Sequence, residues 1–135
     1  MNLMKKYYDV VAAIFIDQHK RIFCAKRKNK GELALKWEFP GGKIEDNELP
    51  EDALRREIIE ELNIISSDFK PFLTISHSYN TFDITLQSFI CEGSFHDLVL
   101  NHHEEVQWIE IKDLLKLDWA DADLPIVKKI IEVYL

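Results

Sequence analysis

The sequence predicts a mixed α/β or α+β domain in which a sheet packs against helices. Segments rich in β-branched and aromatic residues come first, one strong helical segment lies in the middle, and a second helical segment ends the chain. Such an arrangement is typical of layered domains that contain both kinds of element. With 135 residues, 47% of them hydrophobic, the chain is expected to form a single domain over residues 1–135 with its own hydrophobic core.

The first part of the chain predicts three strands and their connections. The segment YDVVAAIFI, which ends at Ile16, is apolar on both faces and predicts a strand buried on both sides. DQHK predicts a polar turn, and RIFCAKR predicts the returning strand of a hairpin. KNKGEL predicts a polar loop. LKWEFPGGKI predicts a short strand that is interrupted at Pro40, Gly41 and Gly42, where the two glycines allow a tight turn.

The segment LPEDALRREIIEELN carries the strongest helix prediction in the chain. Pro50 suits its first turn, acidic residues fill its start, and Asn63 at its end can adopt the left-handed conformation. FKPFLTISHSY and FDITLQSFICEG then predict two strands around a polar NT step, and EVQWIEI predicts another strand. KDLLKL predicts a short helix, and LPIVKKIIEVYL predicts a closing amphipathic helix.

Composition and charge exclude several classes of partner. The formal net charge of −7 argues against nucleic-acid polymers, whose binders need a basic surface, and a chain of this charge needs a cation as intermediary to handle phosphates. The longest apolar run, residues 10–16, is too short to span a membrane, and no secretory signal is visible. Cys24 and Cys91 lie in apolar segments and are expected to be buried, reduced thiols of a cytoplasmic protein.

Three glutamates crowd one arc of the central helix. At about 100° per residue, Leu54 and every fourth residue after it form the apolar stripe that faces the core. Beside this stripe, at spacings i, i+3 and i+4, lie Glu57, Glu60 and Glu61. Like charges at these spacings repel each other. The cluster is therefore either a solvated acidic face or a site for a hard divalent cation such as Mg²⁺, which prefers oxygen ligands.

The residues around this cluster resemble the signature of a known enzyme family. From Gly42 to Ile64 the chain fits G-x5-E-x7-R-E-U-x-E-E-x-G-U, where U is bulky and aliphatic, except that Asn63 replaces the last glycine. This pattern resembles the Nudix box. The resemblance implies a Nudix α/β/α sandwich, with a mixed sheet between helices, over almost the whole chain. WEFPGGKIE is similar to the MutT-like branch, whose members hydrolyse modified or surplus nucleoside triphosphates to a nucleoside monophosphate and pyrophosphate.

The resemblance implies a metal site on the box helix. Mg²⁺, with Mn²⁺ as an alternative, is expected to bind the carboxylates of Glu57, Glu60 and Glu61 and the backbone carbonyl of Gly41. Such an ion makes water more acidic and reduces the repulsion within a phosphate chain. The general base is expected to be one of the three carboxylates or another glutamate behind them.

The other box positions are expected to support these ligands. The resemblance implies that Arg56 acts with Glu57 and Glu60 in catalysis. Glu48 precedes Arg56 by eight residues, so an ion pair between them is expected to fix the loop against the helix. Gly42 and Glu48 are structural positions of the box. Asparagine is the next-best residue after glycine for a left-handed helix end, so the departure at the end of the box is expected to preserve function.

Five residues are candidates for contact with a nucleotide. Arg27 and Lys43 are either phosphate contacts or surface charges. Asp123 precedes the last helix, where the resemblance implies a residue that binds the nucleobase edge, but it would also suit the N-cap of that helix. Tyr79 and Phe39 are either stacking partners of the base or core residues. An ionised aspartate only accepts hydrogen bonds, so Asp123 favours a base with an amino group, such as cytosine.

The loop before the last predicted strand departs from the family pattern. Many relatives have a glutamate where this chain has His102, in the stretch NHHEEVQW. Glu104 or Glu105 could take its place. His102 and His103 are expected to be solvated, because imidazole is a poor ligand for Mg²⁺. The number of metal ions and the identity of the base stay open.

Three functions therefore compete at the level of sequence. The leading one is a MutT-type nucleoside triphosphate pyrophosphohydrolase that sanitises the nucleotide pool, with 8-oxo-dGTP and CTP-like nucleotides as rival substrates. The second is a Nudix hydrolase of ADP-ribose, a nucleotide sugar or a dinucleoside polyphosphate. The third is a non-catalytic nucleotide sensor, which the intact box glutamates disfavour. The expected partner is a small nucleotide, and the protein is expected to be a monomer or a homodimer.

Overall fold

The computed structural model describes residues 5–66, 68–92 and 103–135. Its elements, in chain order, are β1 Lys6–Ile16, β2 Arg21–Arg27, β3 Trp37–Glu38, β4 Gly41–Lys43, α1 Pro50–Leu62, β5 Phe69–Ser78, β6 Phe82–Glu92, β7 His103–Glu110, a 3-10 helix Ile111–Lys116 and α2 Leu124–Tyr134.

These strands form one mixed seven-stranded sheet. Its main path has the order β3-β2-β1-β6-β5, with β4 paired to β1 and β7 paired to β2. The β1 and β6 strands run parallel, whereas the other pairs are antiparallel. Strands β1 and β2 pair near their turn, where Ile16 lies opposite Ile22, while residues 10–12 of β1 pair with β4. The glycine strand β4 thus lies directly beside the middle of the sheet.

Helices cover both faces of the sheet, which confirms the predicted sandwich. On one face, Val11, Ala13 and Phe15 of β1 pack with the buried side of α1. On the other face, Ala12 and Ile14 of the same strand pack with the buried side of α2. Residues 11–15 are all at most 2% exposed. The prediction of a first strand that is buried on both sides is therefore confirmed.

Helix α1 follows its sequence signals. Pro50 occupies the first turn, and the stripe that begins at Leu54 is buried. The helix ends where Asn63 adopts φ 54° and ψ 37°. The backbone N–H of Asn63 donates to the Ile59 carbonyl, and that of Ile64 donates to the Ile58 carbonyl. The expected left-handed end is confirmed, and it holds without glycine.

Other elements differ in detail from their predictions. The LKWEFPGGKI segment forms two short strands, β3 and β4, and KDLLKL forms a 3-10 helix. Strand β7 spans His103–Glu110, so it begins two residues before the predicted segment EVQWIEI and ends one residue before that segment's end. Cys24 and Cys91 are free and buried, as expected, and burial raises the pKa of the Cys91 thiol to about 12. Neither α-helix in the described part of the chain is both long and apolar enough to cross a membrane.

Replacing Asn63 by glycine tests whether the one departure from the box matters. Because the backbone there already has positive φ, we expect Asn63→Gly to leave kcat nearly unchanged and to raise the free energy of unfolding by at most ~1 kcal/mol. Chemical denaturation and steady-state kinetics measure the two quantities. Asn47→Gly, at a φ of 65°, is the matched control for the backbone effect. A large gain in kcat for Asn63→Gly alone would show that asparagine impairs the site.

Candidate active site

The guanidinium of Arg56 forms hydrogen bonds with several other residues of the box. Its Nε and Nη2 atoms donate to the two carboxylate oxygens of Glu48, each at 3.0 Å, so the expected ion pair is present. Its Nη1 donates to Glu57 Oε1 and its Nη2 to the Lys43 carbonyl, both at 2.9 Å. The hydrogen bond to Glu48, above all, raises the pKa of Arg56. Arg56 therefore positions Glu57, and these contacts place it beside the carboxylates as their support.

The two glycines of the box make room for other groups. A Cβ at Gly42 would overlap the carboxyl group of Glu57, and a Cβ at Gly41 would overlap the backbone carbonyl of Val11. Both glycines lie in β4, and neither has a positive φ. The prediction of a tight turn at these glycines is therefore wrong, because the constraint is close approach of neighbouring groups in a sheet.

The carboxylates of α1 have very different surroundings. Glu60 has a side chain that is 59% exposed, whereas Glu61 is 9% exposed. Among the described residues Glu61 Oε2 has no hydrogen-bond partner. Burial first, and then the negative charges of Glu57 and Glu38, raise the pKa of Glu61 to about 8. An unpaired carboxylate oxygen beside two other carboxylates is a group that a hard cation would stabilise.

The oxygen atoms of the box residues fit a divalent metal ion, although their side chains do not yet surround a common point. In the described parts of the chain no three acidic, histidine or cysteine side chains are already arranged to hold an ion. The potential ligands are nevertheless all oxygens, and one of them, Glu61 Oε2, has no hydrogen-bond partner among the described residues. The absence of a side chain at Gly42 leaves the space that the Glu57 carboxyl group fills. The residues that could hold the ion are those expected from the box: Gly41 through its carbonyl, Glu57, Glu60 and Glu61.

Two adjoining clefts open beside these carboxylates. The first, of about 380 Å³, has apolar walls from Leu33, Phe82, Ile84 and Leu86, with Asp123 among its lining residues. The second, of about 750 Å³, is lined by basic residues together with Glu61 and other polar groups. The residues common to both clefts form their border: Arg27, Lys30, Gly31, Glu38, Gly41 and Lys43. One end of this joint cleft is apolar, and the other is charged.

The two expected phosphate contacts both lie on this border. Arg27 donates from Nη1 to Glu38 Oε1 at 3.2 Å, and its side chain is 42% exposed. The Nζ atom of Lys43 lies 4.0 Å from the centre of the Tyr8 ring, a cation–π contact. Both cations therefore face the joint cleft, between its apolar end and the carboxylates.

Asp123 lines the apolar cleft, but its side chain does not cap α2. The residue is 6% exposed, and its Oδ2 accepts the backbone N–H of Phe39 at 3.0 Å. Asp123 does occupy the N-cap position of α2, as the alternative prediction had it, but no side-chain capping bond is present there. Burial, followed by the negative charge of Glu38, raises the pKa of Asp123 well above its usual range. Because a protonated carboxyl both donates and accepts, this rise in the pKa argues against the predicted preference for cytosine.

The two candidate aromatic residues differ in their positions. Tyr79 lines the apolar cleft, and its hydroxyl accepts the backbone N–H of Ala122 at 2.8 Å. The ring of Phe39 is 3% exposed and packs on Trp119, with 4.9 Å between ring centres. The predicted stacking role of Phe39 is corrected accordingly: its ring belongs to the core and does not line either cleft, and its contribution to the site is the N–H that Asp123 accepts.

Sequence reasoning missed Glu38 and misjudged His103. The Nε2 atom of His103 lies 2.8 Å from Glu38 Oε2, and the His103 side chain is 6% exposed, so the expectation that it is solvated is wrong. His102 lies outside the described residues. Glu104 and Glu105 lie on β7 and line neither cleft. The one sequence signal that Glu38 belongs to the site was its place as an acidic residue between two large aromatic residues, Trp37 and Phe39.

The fold and this constellation define a class of protein. The mixed sheet between helices is the fold that the box resemblance implied. The carboxylates of the box lie on α1 beside the glycine strand β4, and Arg56 supports Glu57 among them. Residues 11–129 match the family described as NUDIX domain. The 8-oxo-dGTP diphosphatase of Escherichia coli (strain K12) is 30% identical over 127 residues, which cover 94% of this chain and 98% of that protein. The chain belongs to the NUDIX domain family.

Other relatives agree with this assignment. The CTP pyrophosphohydrolase of Escherichia coli (strain K12) is 30% identical over 123 residues, covering 91% of this chain and 90% of that protein. The solution structure of MutT from methicillin-resistant Staphylococcus aureus 252 has 40% identity and a TM-score of 0.72, covering 96% of this chain and 98% of that one. MutT from Methanosarcina mazei Go1 has a TM-score of 0.83 at 20% identity, covering 97% and 96%, and shows the shared fold.

The adjacent glycines allow a test that separates stability from activity. In Gly41→Ala the new Cβ would overlap the backbone carbonyl of Val11, and a backbone group cannot easily move aside. We therefore expect the free energy of unfolding to fall by about 1–3 kcal/mol. Gly42→Ala meets only the end of the flexible Glu57 side chain, so we expect a smaller loss of stability. Because Glu57 is displaced, kcat should nevertheless fall by roughly 100-fold. Denaturant unfolding and steady-state kinetics compare the pair, and the reverse pattern would contradict this account.

Proposed function

We propose that this protein is a Mg²⁺-dependent nucleoside triphosphate pyrophosphohydrolase of MutT type, with Mn²⁺ as an alternative ion. It hydrolyses modified or surplus nucleoside triphosphates to a nucleoside monophosphate and pyrophosphate. The observation that carries the proposal is the joint cleft, whose apolar end meets the charged end at a border of cations. A nucleoside triphosphate has the same polarity, with a flat base at one end and a phosphate chain at the other.

Each part of the cleft has a role in this proposal. The apolar end, with Tyr79 and Asp123, takes the base, because Asp123 can offer hydrogen bonds to its edge. Arg27 and Lys43 on the border bind the phosphates, which carry negative charge that the acidic chain otherwise repels. The names of two relatives, an 8-oxo-dGTP diphosphatase and a CTP pyrophosphohydrolase, support nucleotides of these kinds as substrates.

The hydrolytic end is built from the box residues. We assign metal binding to Glu57, Glu60, Glu61 and the Gly41 carbonyl. When bound, the ion would lower the pKa of water and offset the charge of the phosphate chain. Arg56 holds Glu57 in place, and a carboxylate of this cluster accepts the proton of the attacking water. We further propose that residues 1–135 form one domain. We also propose that the protein acts in the cytoplasm, where nucleoside triphosphates are made and used.

Removing single carboxylates tests the metal site. Glu60→Gln or Glu61→Gln should lower kcat by at least ~100-fold, because lost metal positioning adds roughly 3 kcal/mol to the barrier. Folding should persist or improve, since each change reduces repulsion between like charges. Pyrophosphate release with Mg²⁺ across a nucleotide panel measures the effect. Glu51→Gln, at an exposed position in the first turn of α1, is the control. Full activity of both variants, or of the wild type in a chelator, would contradict the proposed metal site.

Substitutions at Asp123 test how the base is recognised. Asp123→Ala should lower kcat/KM for the preferred nucleotide by ~10–100-fold, the range for losing a buried polar contact. Because burial favours the protonated carboxyl, Asp123→Asn should keep the order of substrate preference, since asparagine also donates and accepts. The measurement is kcat/KM for CTP, dCTP, 5-methyl-dCTP, dGTP and 8-oxo-dGTP.

The control for these substitutions is Asp121→Ala, which removes a neighbouring carboxylate whose side chain is 70% exposed. An exchange of preference between cytidine and oxidised-purine nucleotides in Asp123→Asn would show that Asp123 acts as an ionised acceptor. An equal fall for all five nucleotides in Asp123→Ala would place base recognition elsewhere in the apolar cleft.

A further inference from the structure

Three strands bring Glu38, Arg27 and His103 together at the border of the two clefts. Strand β2 pairs with β3 through Ala25 and Glu38. On its other side β2 pairs with β7, and the register places Arg27 opposite His103 after a bulge. Glu38 follows Arg27 by 11 residues, whereas His103 lies 65 residues beyond Glu38, and the pairing of these strands makes the three neighbours.

The Glu38 carboxylate lies between the other two side chains. Its Oε2 is 2.8 Å from His103 Nε2, and its Oε1 accepts from Arg27 Nη1 at 3.2 Å. A carboxylate only accepts hydrogen bonds, so the His103 nitrogen that faces it is the donor. The side chains of His103 and Glu38 are 6% and 19% exposed, whereas that of Arg27 is 42% exposed. Burial therefore increases from Arg27 to His103, and the histidine forms the inner end of the chain of contacts.

Arg27 keeps an unsatisfied donor at this position. Its Nε is buried and has no hydrogen-bond partner among the described residues. A guanidinium has five N–H donors in one plane, so a contact at Nη1 fixes the orientation of the others. Leaving a buried donor without a partner is unfavourable, so the Nε restrains the guanidinium poorly and the contact to Glu38 is the one that holds it. The Arg27 side chain is still 42% exposed, and this exposed part is available to a phosphate oxygen in the cleft.

We propose that Glu38 and His103 are positioning residues that hold the Arg27 guanidinium for the phosphate chain of the substrate. His103 fixes the carboxylate through its N–H, and the carboxylate fixes Nη1 of Arg27. The same N–H offsets the negative charge of Glu38, which would otherwise face the incoming phosphates. This inference rests on the proposed function, because it assigns the triphosphate to the border of the clefts.

A double-mutant cycle tests whether His103 acts through Arg27. His103→Ala should raise KM for the preferred nucleoside triphosphate about 10-fold and change kcat by less than about threefold, because phosphate binding is weakened before the chemical step. In an Arg27→Ala background, His103→Ala should add less than about a twofold loss, since its target is already absent. His103→Gln, whose amide can still donate to Glu38, should retain most of the wild-type KM.

Calorimetry with a nucleoside 5′-(α,β-imido)triphosphate and Mg²⁺ provides a readout that does not depend on turnover. The dissociation constant should rise in parallel with KM for His103→Ala and for Glu38→Gln. The control is His19→Ala, which alters an exposed histidine in the turn between β1 and β2. If His103→Ala does not fold, Glu38→Gln in the wild-type and Arg27→Ala backgrounds completes the same cycle.

The outcomes separate the two proposals. Losses that add in the Arg27→Ala background, a fall in kcat at constant KM, or unchanged KM in His103→Ala would each overturn the positioning role. If the wild type releases pyrophosphate from none of the nucleotides, the proposed function itself fails. Pyrophosphate release by the wild type together with an additive cycle would remove the positioning role and leave the proposed function intact.

Discussion

The planar guanidinium of Arg56 joins three parts of the chain, and the arrangement of the site depends on this junction. It binds Glu48 of the loop through two nitrogens, the carbonyl of Lys43 at the end of β4, and Glu57 on the next position of its own helix. A lysine could not hold three acceptors in one plane. Because β4 also pairs with β1, the same contacts fix helix α1 relative to the sheet.

Glycine at two adjacent positions follows from this junction. Once Arg56 holds Glu57 towards β4, the strand has no room for a side chain at Gly42. Pairing with β1 then leaves no room at Gly41, which lies against the Val11 carbonyl. The glycines and the glutamates of the box are thus parts of one steric and electrostatic arrangement, which explains why the acidic cluster comes so soon after two glycines in the sequence.

Local signals sufficed to predict the helix of the box but not the full site. The stripe from Leu54 and the left-handed end at Asn63 depend on neighbours within a few residues, and both were predicted. The Glu38–His103 contact depends on strands β3 and β7 pairing with β2, which no local pattern reveals. Asp123 was predicted at the site, but its surroundings depend on the N–H of Phe39, 84 residues away along the chain.

The distribution of charge is compatible with the proposed binding of a polyanion by an acidic protein. The chain carries a formal charge of −7, and three glutamates crowd α1, yet the border of the two clefts presents Arg27, Lys30 and Lys43. Short-range attraction by these cations acts within the cleft, whereas the charge of the outer surface is screened over about 8–10 Å at physiological salt. Phosphates placed between this border and the carboxylates still face negative charge on one side. Under the proposed function, a divalent cation held by the carboxylates would offset that repulsion, and the acidic cluster and the basic border would then serve the same ligand.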